Sequence, residues 1–202
     1  MNNKKRLLEF NQSNILNASK ELFLEKGVTQ TTMDDIAKRA EYSKSTLYVY
    51  FKSKEEIYNH IVLEYFILLK KGIEDALEKA KDFIDGYFAI CNTIATFYDD
   101  YPLYFESILG EINIEENDTS STLFQIYLVG EQINDTMESY MKKSGIEGAA
   151  TSQTTFILWG SICGIITLAN KKEKYIKHKM NISKEEFMKN GFEFLLKSIM
   201  SK

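Results

Sequence analysis

The chain has 202 residues, 44% apolar and 27% charged, with one proline, ten glycines and a net charge of −4. So large an apolar share supports a sizeable core and excludes a disordered tail. So few chain breakers exclude collagen-like, linker-like and most all-β folds, which must turn every few residues, and favour long helices with short connections.

The basic N-terminus, MNNKKRLLEFNQSN, has no long apolar run behind it and does not read as a signal peptide. Its Lys4, Lys5 and Arg6 read as a solvated, frayed end, with phosphate or minor-groove contact as the functional alternative. Residues 13–26 place Ile15, Ala18, Leu22 and Phe23 on one helical face, stopped by Gly27. A short helix follows from a Thr32 cap, with Asp35 at the capping-box position and Ile36, Ala37 and Ala40 inward. Ser43 caps a third helix over residues 44–50, anchored by Leu47 and Phe51. Ser53, with Glu56 three residues on, caps a fourth that runs toward Lys71.

Further helices are expected over residues 83–98, from Pro102 to about Glu111, over 122–143, from Ala149 to about Lys172, and from a Ser183 cap to about Met200. Residues 113–121 read as an exposed acidic loop, and the KKEKYIKHK segment as a basic, mobile connector. Residues 148–170 carry no charge, but their dense apolar part, 156–169, is shorter than the roughly 20 residues needed to cross a bilayer. It reads as a buried helix, and no membrane partner is expected. The fold class is therefore all-α with about nine helices. An N-terminal three-helix domain occupies residues 1–52, and a C-terminal helical domain occupies 53–202.

Charge is unevenly spread. Residues 1–60 hold ten Lys/Arg against eight Asp/Glu, and residues 61–202 hold fifteen against twenty-one. A basic first part and an acidic remainder point to two tasks in one chain. Cys91 and Cys163 form no CxxC pair, and no Cys/His cluster has ligand spacing, so no disulfide framework and no metal site are expected. A reducing, cytoplasmic setting follows.

Two short helices, residues 32–40 and 44–50, joined by a tight turn form a helix-turn-helix. The second begins with Ser43, Lys44, Ser45 and Thr46, small or basic residues that let a helix approach base edges. Tyr48 and Tyr50 can offer hydroxyls to phosphate, and so can the Lys54 ammonium. A lysine at a helix start opposes the macrodipole, so Lys54 is not placed there for helix stability.

Residues 13–60 resemble the N-terminal domain of the TetR/AcrR family of transcriptional repressors. The resemblance rests on Ile15-Leu16, Ala18, Phe23, Gly27, Thr32, Ile36-Ala37, Ala40, Ser43-Lys44, Thr46-Leu47-Tyr48, Tyr50-Phe51 and Ser53-Lys54-Glu55-Glu56. It covers about a quarter of the chain. It implies DNA contact by Thr32, Ser43, Lys44, Ser45, Thr46, Tyr48, Tyr50 and Lys54. Three positions depart from the pattern: Glu41 stands where the turn usually has Gly, Tyr42 where a small aliphatic is usual, and Ser45 where Gly is frequent. Glu41 brings negative charge toward the DNA side, and Ser45 can read a base.

The resemblance also implies a dimer built from the last two long helices. Their stripes are Ile157, Gly160, Gly164 and Leu168 on one, and Met188, Phe192, Leu195 and Ile199 on the other. Gly160-x-x-x-Gly164 permits close backbone approach. One small recognition helix reads too few base pairs, and a dimer reaches two half-sites about 34–36 Å apart. An inducer pocket is implied among the middle aromatics Phe66, Tyr87, Phe88, Tyr104, Phe105, Phe124 and Tyr127, walls suited to a small apolar or aromatic ligand.

No HExxH, P-loop, GxGxxG, G-x-S-x-G or paired Glu-x-x-His motif occurs, and His60 and His178 are the only histidines. No catalytic residue, cofactor or enzymatic activity is expected. The expected function is that of a dimeric DNA-binding regulator, a repressor released from its double-stranded operator by a small-molecule inducer. The alternative is a helical small-molecule-binding protein that keeps the fold without operator recognition.

Overall fold

A computed structural model describes residues 3–110, 119–146 and 151–200. Among the described residues there are ten α-helices, one short 3-10 helix and no strand. The helices are α1 (Asn3–Lys26), α2 (Met33–Arg39), α3 (Lys44–Tyr50), α4 (Lys54–Lys79) and α5 (Phe83–Asp100). They continue as α6 (Pro102–Phe105), α7 (Thr122–Lys143), α8 (Ser152–Lys171), α9 (Glu173–Met180) and α10 (Lys184–Met200). The 3-10 helix, Glu106–Leu109, extends α6. The expected loop over residues 113–121 is described only from 119, and the expected starting point of α8 at Ala149 lies outside the described residues.

Three expectations need correction. First, α1 begins at Asn3, ten residues before the expected start at residue 13 and twelve before its first buried side chain, Ile15. Leu7, Leu8 and Phe10 in this extension are exposed, so it stands on helix propensity and local pairing, such as Lys5 with Glu9 at 3.9 Å, rather than on burial. The basic residues Lys4, Lys5 and Arg6 therefore sit on a helix rather than a frayed end. Second, α4 continues to Lys79: it runs through Gly72, and Ile73 is buried just beyond it. Third, the basic connector is helix α9. Its single apolar anchor, Ile176, is 2% exposed and docks an otherwise exposed helix. Tyr175 and Met180 are exposed, and one buried residue in eight gives no periodicity to read, which is why the sequence suggested a linker.

The chain divides into two compact units. One comprises Met1–Tyr65 with Ile112–Ile126, the other Phe66–Glu111 with Tyr127–Lys202. The first unit thus extends past the expected limit at residue 52, since Ile57, Ile61 and Val62 of α4 belong to its core. There α2 packs on α1 and on α3. Ile15, Leu22, Phe23, Ile36, Leu47 and Phe51 are at most 5% exposed. Each such side chain contributes about 1.5–3 kcal/mol of burial, which is what holds two seven-residue helices too short to be stable alone.

In the second unit α10 packs on α8, α5 and α9, and α5 packs on α8 and α6. Its core includes Tyr87, Ile94, Phe97, Phe105, Ile133, Ile162, Ile166 and Phe192. α8 is long and apolar enough to cross a membrane by length and composition. Its inward face, Thr155, Leu158, Trp159, Ile162, Cys163, Ile166 and Ala169, is buried within this unit.

Candidate nucleic-acid interface

The α2–turn–α3 hairpin is set by side-chain caps at both starts. Thr32 caps α2: its hydroxyl accepts the Asp35 N–H at 3.2 Å, and the Asp35 carboxylate accepts the Thr32 N–H at 2.9 Å. Lys26 adds an ion pair to Asp35 at 2.7 Å. The Lys26 and Thr32 hydrogen bonds hold the Asp35 carboxyl well below the usual carboxylate range. Ser43 caps α3 by accepting the Thr46 N–H at 3.1 Å. Its hydroxyl also lies 2.9 Å from Ser45 Oγ and 2.7 Å from Thr46 Oγ1.

Between the helices lies a Schellman turn. The Tyr42 N–H donates to the Ala37 carbonyl at 2.9 Å, and the Glu41 N–H to the Lys38 carbonyl at 3.3 Å. Such a turn needs a left-handed residue after the cap, and Glu41 supplies it with φ of 61°. The same motif closes α7, where Ile146 donates to Met141 at 3.0 Å and Gly145 donates to Lys142 at 3.1 Å. There the left-handed residue is Gly145, φ 79°. The turn is thus made with a residue that carries a Cβ and a carboxylate where glycine would be unstrained.

Two side-chain clamps tie the hairpin to its support. Arg39 of α2 reaches Glu25 and Glu21 of α1 at 2.7 and 3.1 Å, and its guanidinium holds the Glu25 carboxyl below its ordinary value. Asn11 of α1 bridges two tyrosines: the Tyr42 hydroxyl donates to its Oδ1 at 2.9 Å, and its Nδ2 donates to the Tyr50 hydroxyl at 2.7 Å.

The expected contact residues fall into three groups. Ser45 and Tyr48 lie on the exposed side of α3, opposite the buried Leu47. Lys44 is exposed there too, but its ammonium pairs with Asp34 of α2 at 2.9 Å, which raises the Lys44 pKa. Thr32, Ser43 and Thr46 hold the helix starts through their hydroxyls. Tyr50 is half-buried against Asn11, and Lys54 donates to the Val28 and Thr29 carbonyls at 2.7 and 3.3 Å, fastening α4 to the loop after α1. The sequence reading missed Val49, which is 78% exposed on α3 and offers an apolar contact beside Tyr48. A valine gave no chemical signal; only its exposure marks it.

The described residues place those expected around a ligand in different settings. Tyr87 lines an apolar cavity of about 20 Å³ in the second unit, with Phe83, Ile90, Met137, Tyr140 and Leu158 among its neighbours. That is room for about one water and not for an organic ligand without opening. Phe88 lines a separate surface groove between α5 and α10. Phe66, Tyr104 and Phe105 are at most 4% exposed, Tyr127 is 39% exposed, and Phe124 belongs to the first unit.

The expected dimer stripes also divide. Ile157 and Leu168 of α8 are 57% and 52% exposed, and the Cα atoms of Gly160 and Gly164 face open space. On α10, Phe192 and Ile199 turn into the core of their own unit, where the Tyr87 hydroxyl donates to the Phe192 carbonyl at 2.9 Å. Met188 and Leu195 are half-buried, and the outermost apolar side chain of α10 is Phe194.

Residues 15–61 match the family described as bacterial regulatory proteins, tetR family. The chain is 36% identical over 69 residues to the uncharacterized HTH-type transcriptional regulator YhgD of Bacillus subtilis (strain 168), covering 34% of this chain and 36% of that protein. It is 27% identical over 135 residues to the uncharacterized HTH-type transcriptional regulator YfiR of the same organism, covering 65% of this chain and 57% of YfiR. It thus spans between about a third and just over half the length of these curated relatives. In fold it is similar to the transcriptional regulator FadR from Bacillus subtilis, solved in complex with stearoyl-CoA, with a TM-score of 0.65 at 16% identity over 91% of this chain and 96% of that one. The hairpin of α2 and α3, capped at Thr32 and Ser43 and packed on α1, lies within the stretch that matches the tetR family, and the chain as a whole shares its fold with FadR.

Proposed function

We propose that this chain is a sequence-specific, dimeric DNA-binding regulator in a cytoplasmic setting. In this reading it is a repressor that leaves its operator when a small, largely apolar or aromatic ligand binds the second unit. The observation that carries the DNA reading is α3 itself. A capped helix with Leu47 and Phe51 buried at its back presents Lys44, Ser45, Tyr48 and Val49 outward. Small and slender side chains there let the helix enter a major groove, and an exposed valine suits a thymine methyl.

Dimerisation is supported by the outward face of α8, where Phe156, Ile157 and Leu168 are exposed around two open glycines, and by Phe194 of α10. So much unpartnered apolar surface on two neighbouring helices is costly in water and suits a helix-to-helix contact with a second copy. The ligand reading is supported by the aromatic and methionine lining of the small cavity beside Tyr87. A ligand there acts only insofar as it binds the open, non-operator form better than the closed one. α4 contributes residues to both units and is the covalent route between ligand and recognition helix.

Capture of fragmented DNA from the source genome on the tagged protein, followed by sequencing, tests the reading. Enrichment of one near-palindromic site, with affinity that falls steeply as salt rises, is the expected result. No enrichment at moderate salt would move the assignment to a helical small-molecule-binding protein. Glu41 and the pairing of Lys44 with Asp34, which reduce positive potential beside α3, are the features that favour that second reading.

A further inference from the structure

We infer that Asn11 and Tyr42 are positioning residues for operator binding, and that together they aim the Tyr50 hydroxyl proton at a DNA phosphate. The inference rests on the DNA-binding reading above and goes beyond it, because neither residue lies on the recognition helix.

The direction of the hydrogen bonds carries the point. The Tyr42 hydroxyl donates to Asn11 Oδ1, and Asn11 Nδ2 donates to the Tyr50 hydroxyl. A phenol has one proton to give. Because Tyr50 oxygen already accepts from the amide, its own proton is left to donate to a further acceptor. Were the amide turned over, Tyr50 would spend its proton on Asn11 and present only lone pairs, which repel a phosphate. In the arrangement seen, the Tyr42 hydroxyl donates to the amide oxygen and engages that end of Asn11 while the NH2 faces Tyr50.

The placement of Tyr42 is itself fixed by the strained turn. Glu41 takes the left-handed conformation, and Tyr42 is held by its N–H to the Ala37 carbonyl. The bridge therefore links the turn, the C-terminal end of α3 and the supporting helix α1 through neutral groups only. A small aliphatic side chain in place of Tyr42 could not make this bond.

Isosteric variants test the inference without threatening the fold. The probe is the duplex that the wild-type protein enriches from a random-sequence library, and the readout is its affinity by fluorescence anisotropy. Tyr50→Phe removes the donor from both subunits of the dimer and should weaken binding about a hundredfold or more, as for two hydrogen bonds to charged groups. Tyr42→Phe frees the amide to turn and should weaken binding several-fold. The double variant should bind no worse than Tyr50→Phe alone, because Tyr42 acts only through the Tyr50 proton. The dependence on salt should be the same in all four proteins, since no ionic contact is lost. If Tyr42→Phe binds as the wild type does, or if the two effects multiply, the inference is overturned while the regulator reading stands. If the wild-type protein enriches no duplex, the regulator reading falls, and the inference with it.

Discussion

Replacing Glu41 with glycine should stabilise the protein. Glu41 sits at φ 61°, and an L-residue in this region costs about 1–2 kcal/mol relative to the right-handed one. Glycine removes that cost but adds freedom to the unfolded chain, worth about 0.4–1 kcal/mol in the other direction. The difference leaves a net gain of about 0.5–1 kcal/mol, or a rise in melting temperature of about 1–4 °C for a chain of this size. Urea unfolding followed by circular dichroism measures it, as a shift in midpoint at constant slope. The equivalent turn after α7 supplies the control: Gly145→Ala, at φ 79° with nothing within 4 Å of the new Cβ, should lose about 1 kcal/mol through backbone strain alone. Glu41→Gln separates charge from strain, because it keeps the Cβ and should leave the midpoint unchanged. Under the DNA-binding reading, both Glu41 variants should bind duplex DNA more tightly, by similar factors, as the negative charge is lost. A midpoint for Glu41→Gly that is unchanged or lower would refute the claim that this turn is strained.

Three further outcomes are expected. The Asp35 carboxyl is held well below its ordinary value by Lys26 and Thr32, so its contribution to stability is present above the ordinary carboxylate pKa and lost as pH falls toward the depressed one. Asp35→Asn should accordingly melt below the wild type near neutral pH, and the gap should close in melts taken at successively more acid pH. Gly86→Ala places a Cβ 2.1 Å from the Tyr140 hydroxyl oxygen, which itself donates to the Asp82 carbonyl at 2.7 Å. It should cost about 1–3 kcal/mol in urea unfolding, and a second substitution, Tyr140→Leu, should recover part of that loss. Burial pushes the Cys91 and Cys163 thiols up to about 12, and both side chains are fully enclosed. A thiol-specific chromogenic reagent at neutral pH should therefore label them only as fast as the protein unfolds, and rapid labelling of the folded protein would contradict the packing described.

Most helix starts were legible because capping is local. Thr32, Ser43 and Ser53 each sit three residues before the N–H they accept, so the sequence alone marks where α2, α3 and α4 begin. The core anchors Leu47 and Phe51 were legible for the same reason, as apolar positions at helical spacing. The glycine-requiring turn at Glu41 was legible only through the resemblance, because glutamate itself carries no turn signal.

What the sequence by itself determined is the all-α class, the helix-turn-helix and the identity of the residues offered at α3. These follow from nearest-neighbour chemistry: spacing, caps and breakers act within a turn or two of helix. Only the tertiary structure decided that Lys54 fastens a loop, that Lys44 is paired with Asp34 and that Asn11 joins Tyr42 to Tyr50. It also turned Phe192 and Ile199 inward, left Phe194 outside, and docked α9 through Ile176. The physical reason is the same in each case: such contacts join residues far apart along the chain, and which face of a helix is buried depends on what another helix brings to meet it.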